Sequence, residues 1–477
     1  MSSAWRALKV MVTLGLVAGV ACATSAGPGG YVYWSSGAGG AGKVMLYRAA
    51  VDGSWAVVGS VVNFDNVANN NTTNVGPFNR DVEVLDPRSE GGTGKLLVAA
   101  DYNDTPYAGS ANSGQAAYDI VRVDPNNPTT VYSRAAGNLY TDGKLATSTN
   151  TTWNTVGARL AVPAPQNWLG ASGDNSSFGG VSMVTEGYSA WYGNLSYIHD
   201  QNANGWADCA TGNTAEGAVI GNASSAPAAS GQPGDLEFGS DRALYTSYAA
   251  ASAGPINVKR YWVQNGTTLT SSVYYSHDNH ADGLGASYFY GGGGYIGGSF
   301  IATGPGYTNV NGLTNTNPIV YLFTVDNHPG WSAPAVSAIF AMQDSVNGDN
   351  VVSTLGGSPD TFKEIWRSGD AGITINATGG YSLWDIELVF SGGKRTLLFM
   401  DGNGSGKLYA LSLADNGLAV DGAGTLVLSG VTGSVVQGQG FEFDANPAAA
   451  VPEPATLLLL GTGALGALRY IRRQRMS

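Results

Sequence analysis

Gly440-Phe441-Glu442-Phe443-Asp444 is a short alternating stretch near the end of a 477-residue chain, and its closest counterparts lie far upstream. Asp81-Val82-Glu83-Val84, Asp235-Leu236-Glu237-Phe238 and Asp385-Ile386-Glu387-Leu388 share its character. In each, a central glutamate sits between apolar residues, at the period of two that sends successive side chains to opposite faces of a strand. The three upstream copies each lead through a turn into a second strand-like run: Lys95 to Asp101, Ala243 to Tyr248 and Thr396 to Asp401. The copy at residues 440–444 leads into no such run. At the other end, the first strand-like segment, Gly30-Tyr31-Val32-Tyr33-Trp34, has no glutamate strand before it. A C-terminal strand that completes the N-terminal sheet satisfies both ends and removes an exposed edge.

A second element recurs between these copies. It is an alternating aliphatic or Tyr-rich strand closed by a turn residue, at Val44 to Asp52, Tyr118 to Asp124, Leu195 to Asp200, Val258 to Gln264, Ile319 to Asp326 and Leu408 to Asp415. The closing positions are separated by 72, 76, 64, 62 and 89 residues, about one unit every 70. Four antiparallel strands at that period predict an all-β, β-propeller-like body of about six four-stranded blades, closed by the C-terminal strand. An irregular β-sandwich or two β domains is the alternative. The third unit, Val156 to Gln232, is blurred by Gly, Ser, Asn and Ala stretches.

Composition agrees with many short strands. The chain holds 69 Gly, 24 Tyr and 11 Trp and is only 12% charged. Glycine disfavours helix interiors, while aromatics favour pleated surfaces and Gly/Asn favour their turns. Net charge is −12, and between the two targeting segments described below there are 17 basic against 34 acidic residues. Such a body gains nothing from counterion release on nucleic acid and is repelled by anionic membrane surfaces. Cations and neutral ligands such as polysaccharide remain as partners.

The two ends read as targeting segments. Arg6 and Lys9, the apolar run Val10 to Val20 and the small residues Ala21 and Ala23 predict a secretory signal peptide over 1–23. A lipoprotein reading through Cys22 is the rival, but Gly19 stands where an acylation box carries leucine. With cleavage after Ala23, Cys209 is the single thiol left, and the body at 24–444 must rely on its packed core. After a linker at 445–450 comes the tail at 451–475: Pro452-Glu453-Pro454, a short transmembrane segment at 455–471, and the basic cluster Arg469, Arg472, Arg473 and Arg475. The prolines keep the triplet extended, and the arginines hold the far end of the apolar run on the cytoplasmic side. The run is shorter than the roughly 20 residues of a robust span, which suits a temporary anchor. This composite resembles the PEP-CTERM sorting signal of Gram-negative bacteria that make extracellular polysaccharide. The resemblance implies an exosortase-type membrane enzyme as processing partner, with Pro452, Glu453, Pro454, Arg469, Arg472 and Arg473 as the signal residues. It further implies transient anchoring in the inner membrane, then the cell surface or biofilm matrix.

Candidate chemistry within the body is sparse. Asp200, Asn202, Asn204 and Asp208, with Gly205, place oxygens and a glycine as the first part of an EF-hand-type loop does, so calcium is the one cofactor the sequence offers. Thr211 replaces the bidentate glutamate of such a loop, and a plain hairpin turn needs the same residues. His277, His280 and Asp282 gather imidazole and carboxylate for a transition metal, although His-x-x-His brings two rings together only on a helix. Asp401 to Gly406 reads as a hairpin turn. Glu83, Glu237, Glu387 and Glu442 could be read as glycosidase acids facing a central channel, but four equivalent carboxyls point to a structural or channel-lining role. Trp153, Trp168, Trp191, Trp206, Trp262, Trp331 and Trp366 lie by this reading in loops or at strand ends, suited to stacking on sugars or to packing between blades. Nucleophile elbow, P-loop, zincin and dinucleotide motifs are missing from the sequence. The expectation is an exported, non-catalytic surface or matrix protein that binds polysaccharide, with a secreted propeller-type enzyme acting on polysaccharide as the alternative.

Overall fold

A computed structural model describes 24 strands and short connections beside them, all within residues 30–445. The strands form six four-stranded sheets. The first sheet holds β1 (Gly30–Ser36), β2 (Met45–Ala50) and β3 (Val57–Asn63), with β24 (Phe441–Ala445) added beside β1. The second holds β4 (Phe78–Val84), β5 (Leu96–Tyr102), β6 (Ala117–Val123) and β7 (Val131–Tyr132), and the third β8 (Arg159–Ala161), β9 (Ser182–Glu186), β10 (Asn194–His199) and β11 (Gly217–Asn222). The fourth runs β12 (Gly231–Phe238), β13 (Leu244–Ala250), β14 (Ile256–Gln264) and β15 (Thr268–Ser276). The fifth runs β16 (Ser299–Gly304), β17 (Ile319–Asp326), β18 (Val336–Gln343) and β19 (Thr361–Arg367). The sixth runs β20 (Leu383–Ser391), β21 (Lys394–Asp401), β22 (Lys407–Leu413) and β23 (Thr425–Leu428). All the pairings within these sheets are antiparallel, as short hairpin connections require.

The strand at the C-terminus pairs with the strand at the N-terminus. Gly30 lies opposite Ala445, Val32 opposite Phe443 and Trp34 opposite Phe441. Five of the sheets are chain-order meanders, and the first is completed across the whole length of the chain. The first strands of the sheets lie side by side in sequence: β4 against β8, β8 against β12, β12 against β16, β16 against β20 and β20 against β24. β24 lies against β4 as well.

One expectation changes. The fifth copy of the recurring strand, Ile319 to Asp326, is the second strand of its sheet, whereas the other copies at β2, β6, β10, β14 and β22 occupy the third position counted from the strand nearest the neighbouring sheets. Val336–Gln343 is the true equivalent. Closing the unit at 343 turns the uneven spacings of 62 and 89 into 79 and 72. The sequence misled because IVYLFTVD alternates and ends in Asp like its counterparts. Trp262 and Trp366 lie near the ends of strands β14 and β19, and Trp366 is fully buried, in a packing role.

Apolar walls between sheets supply the core. Between the fifth and sixth sheets, Tyr321, Phe323, Ile339 and Trp366 pack against Ile386, Leu397, Phe399 and Leu411. Val320, Leu322 and Phe340 of the fifth sheet meet Tyr245, Val258 and Tyr274 of the fourth. Val32 and Trp34 of the first meet Val389, Leu398 and Met400 of the sixth, with Phe441 among them. At about 25 cal/mol per Å² of apolar surface removed from water, such walls dominate the stabilisation. One turn shows how tightly they close. Gly417 has φ of +72°, the Tyr321 hydroxyl donates to its carbonyl at 3.0 Å, and a Cβ there would stand 2.5 Å from that hydroxyl. Glycine is the residue that satisfies both demands.

Among the described residues no helix is long and apolar enough to cross a membrane. The signal peptide at 1–23, residues 446–450 of the linker, and the tail with its segment at 455–471 lie outside the described residues. Ala445, assigned to the linker by sequence, belongs to β24.

Candidate functional site

The repeated glutamate strands are the first strands of the second, fourth and sixth sheets, together with the closing strand of the first. The first three share a detail beyond their sequence. In β4 the pairing register shifts between Asn79 and Asp81, in β12 between Pro233 and Asp235, and in β20 between Leu383 and Asp385. A bulge therefore stands immediately before each aspartate and re-aims the residues that follow it. Val82, Leu236 and Ile386, one residue on, are buried in the apolar layers.

The aspartates are buried as well and act as stitches. One carboxylate oxygen accepts the N–H of the next residue: Val82 to Asp81 at 3.0 Å, Leu236 to Asp235 at 3.0 Å and Ile386 to Asp385 at 2.8 Å. The second oxygen reaches the following sheet. Asp81 accepts the Leu160 N–H of β8 at 2.7 Å, and Asp385 accepts the Phe441 N–H of β24 at 3.0 Å. Hydrogen bonds to an ionised acceptor are about twice as strong as neutral ones, and here they join first strands that no β-ladder connects. The Asp-x-Glu motif was legible in the sequence, but attention to its glutamate passed over the aspartate.

Two residues beyond each aspartate stand Glu83, Glu237 and Glu387, and Glu442 on β24 joins them. Burial is the main force on all four, and it pushes their carboxyls up because the charged form loses hydration. For Glu387 the result is about 8, with Asp235 and Asp81 pushing further and the Leu388 N–H pulling back. Glu83, Glu237 and Glu442 stand well above the ordinary range. After burial, Glu442 feels Glu387, Glu83 and Glu237 in turn, and Glu237 feels Glu387 and Asp235. Carboxyls contributed by four sheets thus converge on one region and keep their protons near neutrality. A hydrolytic pair needs one ionised and one protonated carboxyl in contrasting surroundings. All four are pushed in the same direction, so none of them stands out as the ionised partner of such a pair.

A second polar cluster, unforeseen from sequence, lies in the fourth sheet. Arg260 Nη2 meets Asp241 Oδ2 at 2.8 Å in an ion pair whose side chains are both 8% exposed. The Tyr245 hydroxyl donates to the same oxygen at 3.0 Å, and the Arg260 guanidinium stacks 4.8 Å from the Trp262 ring. Tyr274 packs edge-on against Tyr245, and its hydroxyl accepts the Asp344 N–H from the fifth sheet at 3.2 Å. The cluster ties the fourth sheet to the loop after β18. In that loop Asp344 accepts the Gly348 and Asn350 N–H groups, and Asp360 those of Ser345, Val346 and Ser353. These carboxylates are occupied in shaping the loop.

The calcium candidates Asp200, Asn202, Asn204 and Asp208, the histidine group His277, His280 and Asp282, and the sorting residues Pro452, Glu453, Pro454, Arg469, Arg472 and Arg473 lie outside the described residues. The flanks of the first set are β10 and β11, which pair directly, so the segment joins a hairpin. Asp401 pairs with Lys407, so residues 402–406 likewise join β21 to β22. Among the described residues no group of three or more His, Cys, Asp or Glu side chains is placed to hold a metal ion.

Comparison with known proteins settles the tail. Residues 450–473 match the PEP-CTERM protein-sorting motif, so the chain carries this signal. Such signals mark proteins exported to the cell surface or extracellular space of Gram-negative bacteria and processed by exosortase. No curated protein matches the chain. Among solved structures, prolyl oligopeptidase B from Galerina marginata is 11% identical with a TM-score of 0.35, over 82% of this chain and 41% of that one. The chain thus spans less than half the length of that enzyme. The polysaccharide lyase Uly1 is 10% identical with a TM-score of 0.35, over 85% of this chain and 81% of that one. The rhamnogalacturonan lyase YesX is 11% identical with a TM-score of 0.28, over 83% and 74%.

Proposed function

We propose that the six sheets are the blades of one closed β-propeller, and that this body is a non-catalytic surface or matrix component which binds polysaccharide after delivery by its sorting tail. The pairing of β24 with β1 carries the reading, because it joins the ends of the chain while β24 also lies against β4 and β20. Its acidic, charge-poor composition favours a neutral polymer over nucleic acid. The central carboxyls support a structural core over a hydrolytic one, since all four are pushed in the same direction and none stands out as the ionised partner of a hydrolytic pair. Incubating the exported chain with the producing cell's own polysaccharide tests this: co-sedimentation with unchanged polymer length is expected, and release of small fragments would establish the enzymatic alternative. Transient insertion of residues 455–471 in the inner membrane precedes processing on this reading. Mass spectrometry of the protein in the surface fraction should find no chain extending to Ser477. Calcium at Asp200 to Asp208 is proposed as a local clamp of the β10–β11 turn. A melting midpoint that falls by a few degrees in chelator is expected, and an unchanged midpoint removes the site.

A further inference from the structure

The closing strand is built differently from the others. Every other first strand is continuous with its own sheet through a hairpin, but β24 is held to β1 by five register positions and to the sixth sheet through the Asp385 stitch. It brings Glu442 into the region already occupied by Glu83, Glu237 and Glu387. The ionisable groups around it, element by element, are Asp385 and Glu387 on β20, Asp81 and Glu83 on β4, Glu237 on β12, and Tyr31 and Tyr33 on β1, opposite Asp444 and Glu442. Arg80, beside Asp81 on β4, is the one base in the sequence of these strands, and the other charged groups among them are carboxylic acids. The strand ends seven residues before Pro452, so whatever governs its seating acts beside the sorting signal.

We propose that β24 is a pH-sensitive latch, seated most firmly in acid and loosened progressively as pH rises through neutrality into alkali, where its release bares the edge of β1 and lengthens the tether to the sorting tail. The inference rests on the closed-propeller reading. Its sign follows from the protons. A glutamate released into water titrates near 4.3, whereas burial holds Glu387 up to about 8 and Glu442 well above the ordinary range. Between those limits unseating sheds protons, so each rise in pH favours release. Below the ordinary glutamate range nothing is lost, and the penalty grows from there up through the native values. Seven residues of tether reach roughly 23 Å when extended, and freeing the five residues of β24 adds about 16 Å.

Backbone hydrogen exchange of the full chain in detergent, corrected for the intrinsic effect of pH, tests the latch. Protection of residues 441–445 should fall at least about tenfold relative to β17 between pH 6 and 9.5, about the effect of one pKa unit. Glu442→Gln should flatten that profile while keeping protection at pH 6. If protection of residues 441–445 and β17 falls in parallel, or if Glu442→Gln keeps the wild-type profile, the latch is refuted. If residues 441–445 are unprotected at every pH, the closure itself is wrong, which is a different failure.

Discussion

The wall between the fifth and sixth sheets and the region where the first strands meet are both buried, yet they are built on opposite principles. In the wall, Phe323 and Phe399 meet edge-on at 5.2 Å and Trp366 lies 5.1 Å from Phe399, while the Trp366 indole N–H donates to the Asp370 carbonyl at 3.1 Å. Apolar surface is removed from water, and the Trp366 indole N–H and the Tyr321 hydroxyl both have acceptors, so the wall stabilises the fold. Where the first strands meet, four half-buried carboxyls lose part of their hydration and hold protons they would release in solvent. That region costs stability, and the aspartate stitches offset part of the cost by joining one sheet to the next. The contrast teaches that the apolar walls supply stability, while the carboxyls where the first strands meet draw on it.

The largest test of this contrast removes the closing strand. A chain ending before Gly440 loses the contacts of Phe441 with Val32, Trp34 and Leu398 and takes the Phe441 N–H from the second oxygen of Asp385. A chain ending before Val451 keeps all of them. Thermal or urea unfolding should separate the two by about 3 to 5 kcal/mol, the scale of losing a large buried aromatic side chain. Equal stability would refute the closure.

Trp366→Ala comes next. Its cavity would open among Phe323, Ile339 and Phe399 and leave the Asp370 carbonyl with the Ile373 N–H alone, for a loss of about 3 to 5 kcal/mol from a single side chain. Loss near 1 kcal/mol would mean that the wall is not the main source of stability. This residue also marks how much of the molecule was legible beforehand. The alternation of Tyr, Val and Leu at period two disclosed the strands, and the Glu copies disclosed which strands come first in their sheets and that the last strand belongs with the first. What stayed hidden is longer-ranged. Whether Trp366 faces a neighbouring sheet or solvent depends on its register with Ile339, which no local pattern records. The Arg260 and Asp241 pair is 19 residues apart and depends on a hairpin bringing them level. The fifth-unit misregister arose because two adjacent strands of one sheet both alternate and both could end in a turn residue. For the centre, the glutamates announced themselves by repetition, but the bulges before the aspartates exist only in the pairing of β4, β12 and β20 with their partners.

Asp385→Ala sharpens the comparison at the stitch. It withdraws the acceptor from the Ile386 and Phe441 N–H groups at once, and a buried donor left unpaired costs about 1 to 3 kcal/mol. Asp81→Ala makes the same chemical change toward Leu160, but β8 belongs to a sheet built in chain order whereas β24 is added to the first sheet from a distant part of the chain. Hydrogen exchange should therefore rise locally at residues 441–445 in the first variant and less at β8 in the second.

The smallest effect has the opposite sign. Glu387→Gln keeps the shape of the side chain and its ability to hydrogen-bond, and removes the need to hold a proton. In the unfolded chain Glu387 is ionised above the ordinary glutamate range, and in place it stays protonated up to about 8. At pH 7 to 8 the wild type must therefore take up a proton to fold, and the glutamine variant need not. Because the side chain is partly exposed, the gain is discounted to about 1 kcal/mol. The gain should vanish near pH 4, where both states of the wild-type residue are protonated, so the two unfolding curves should converge in acid and separate as pH rises. If the variant were less stable than wild type at pH 8, Glu387 would be acting there as a needed carboxylate, and the contrast between a stabilising wall and a costly centre would fail at its most informative residue.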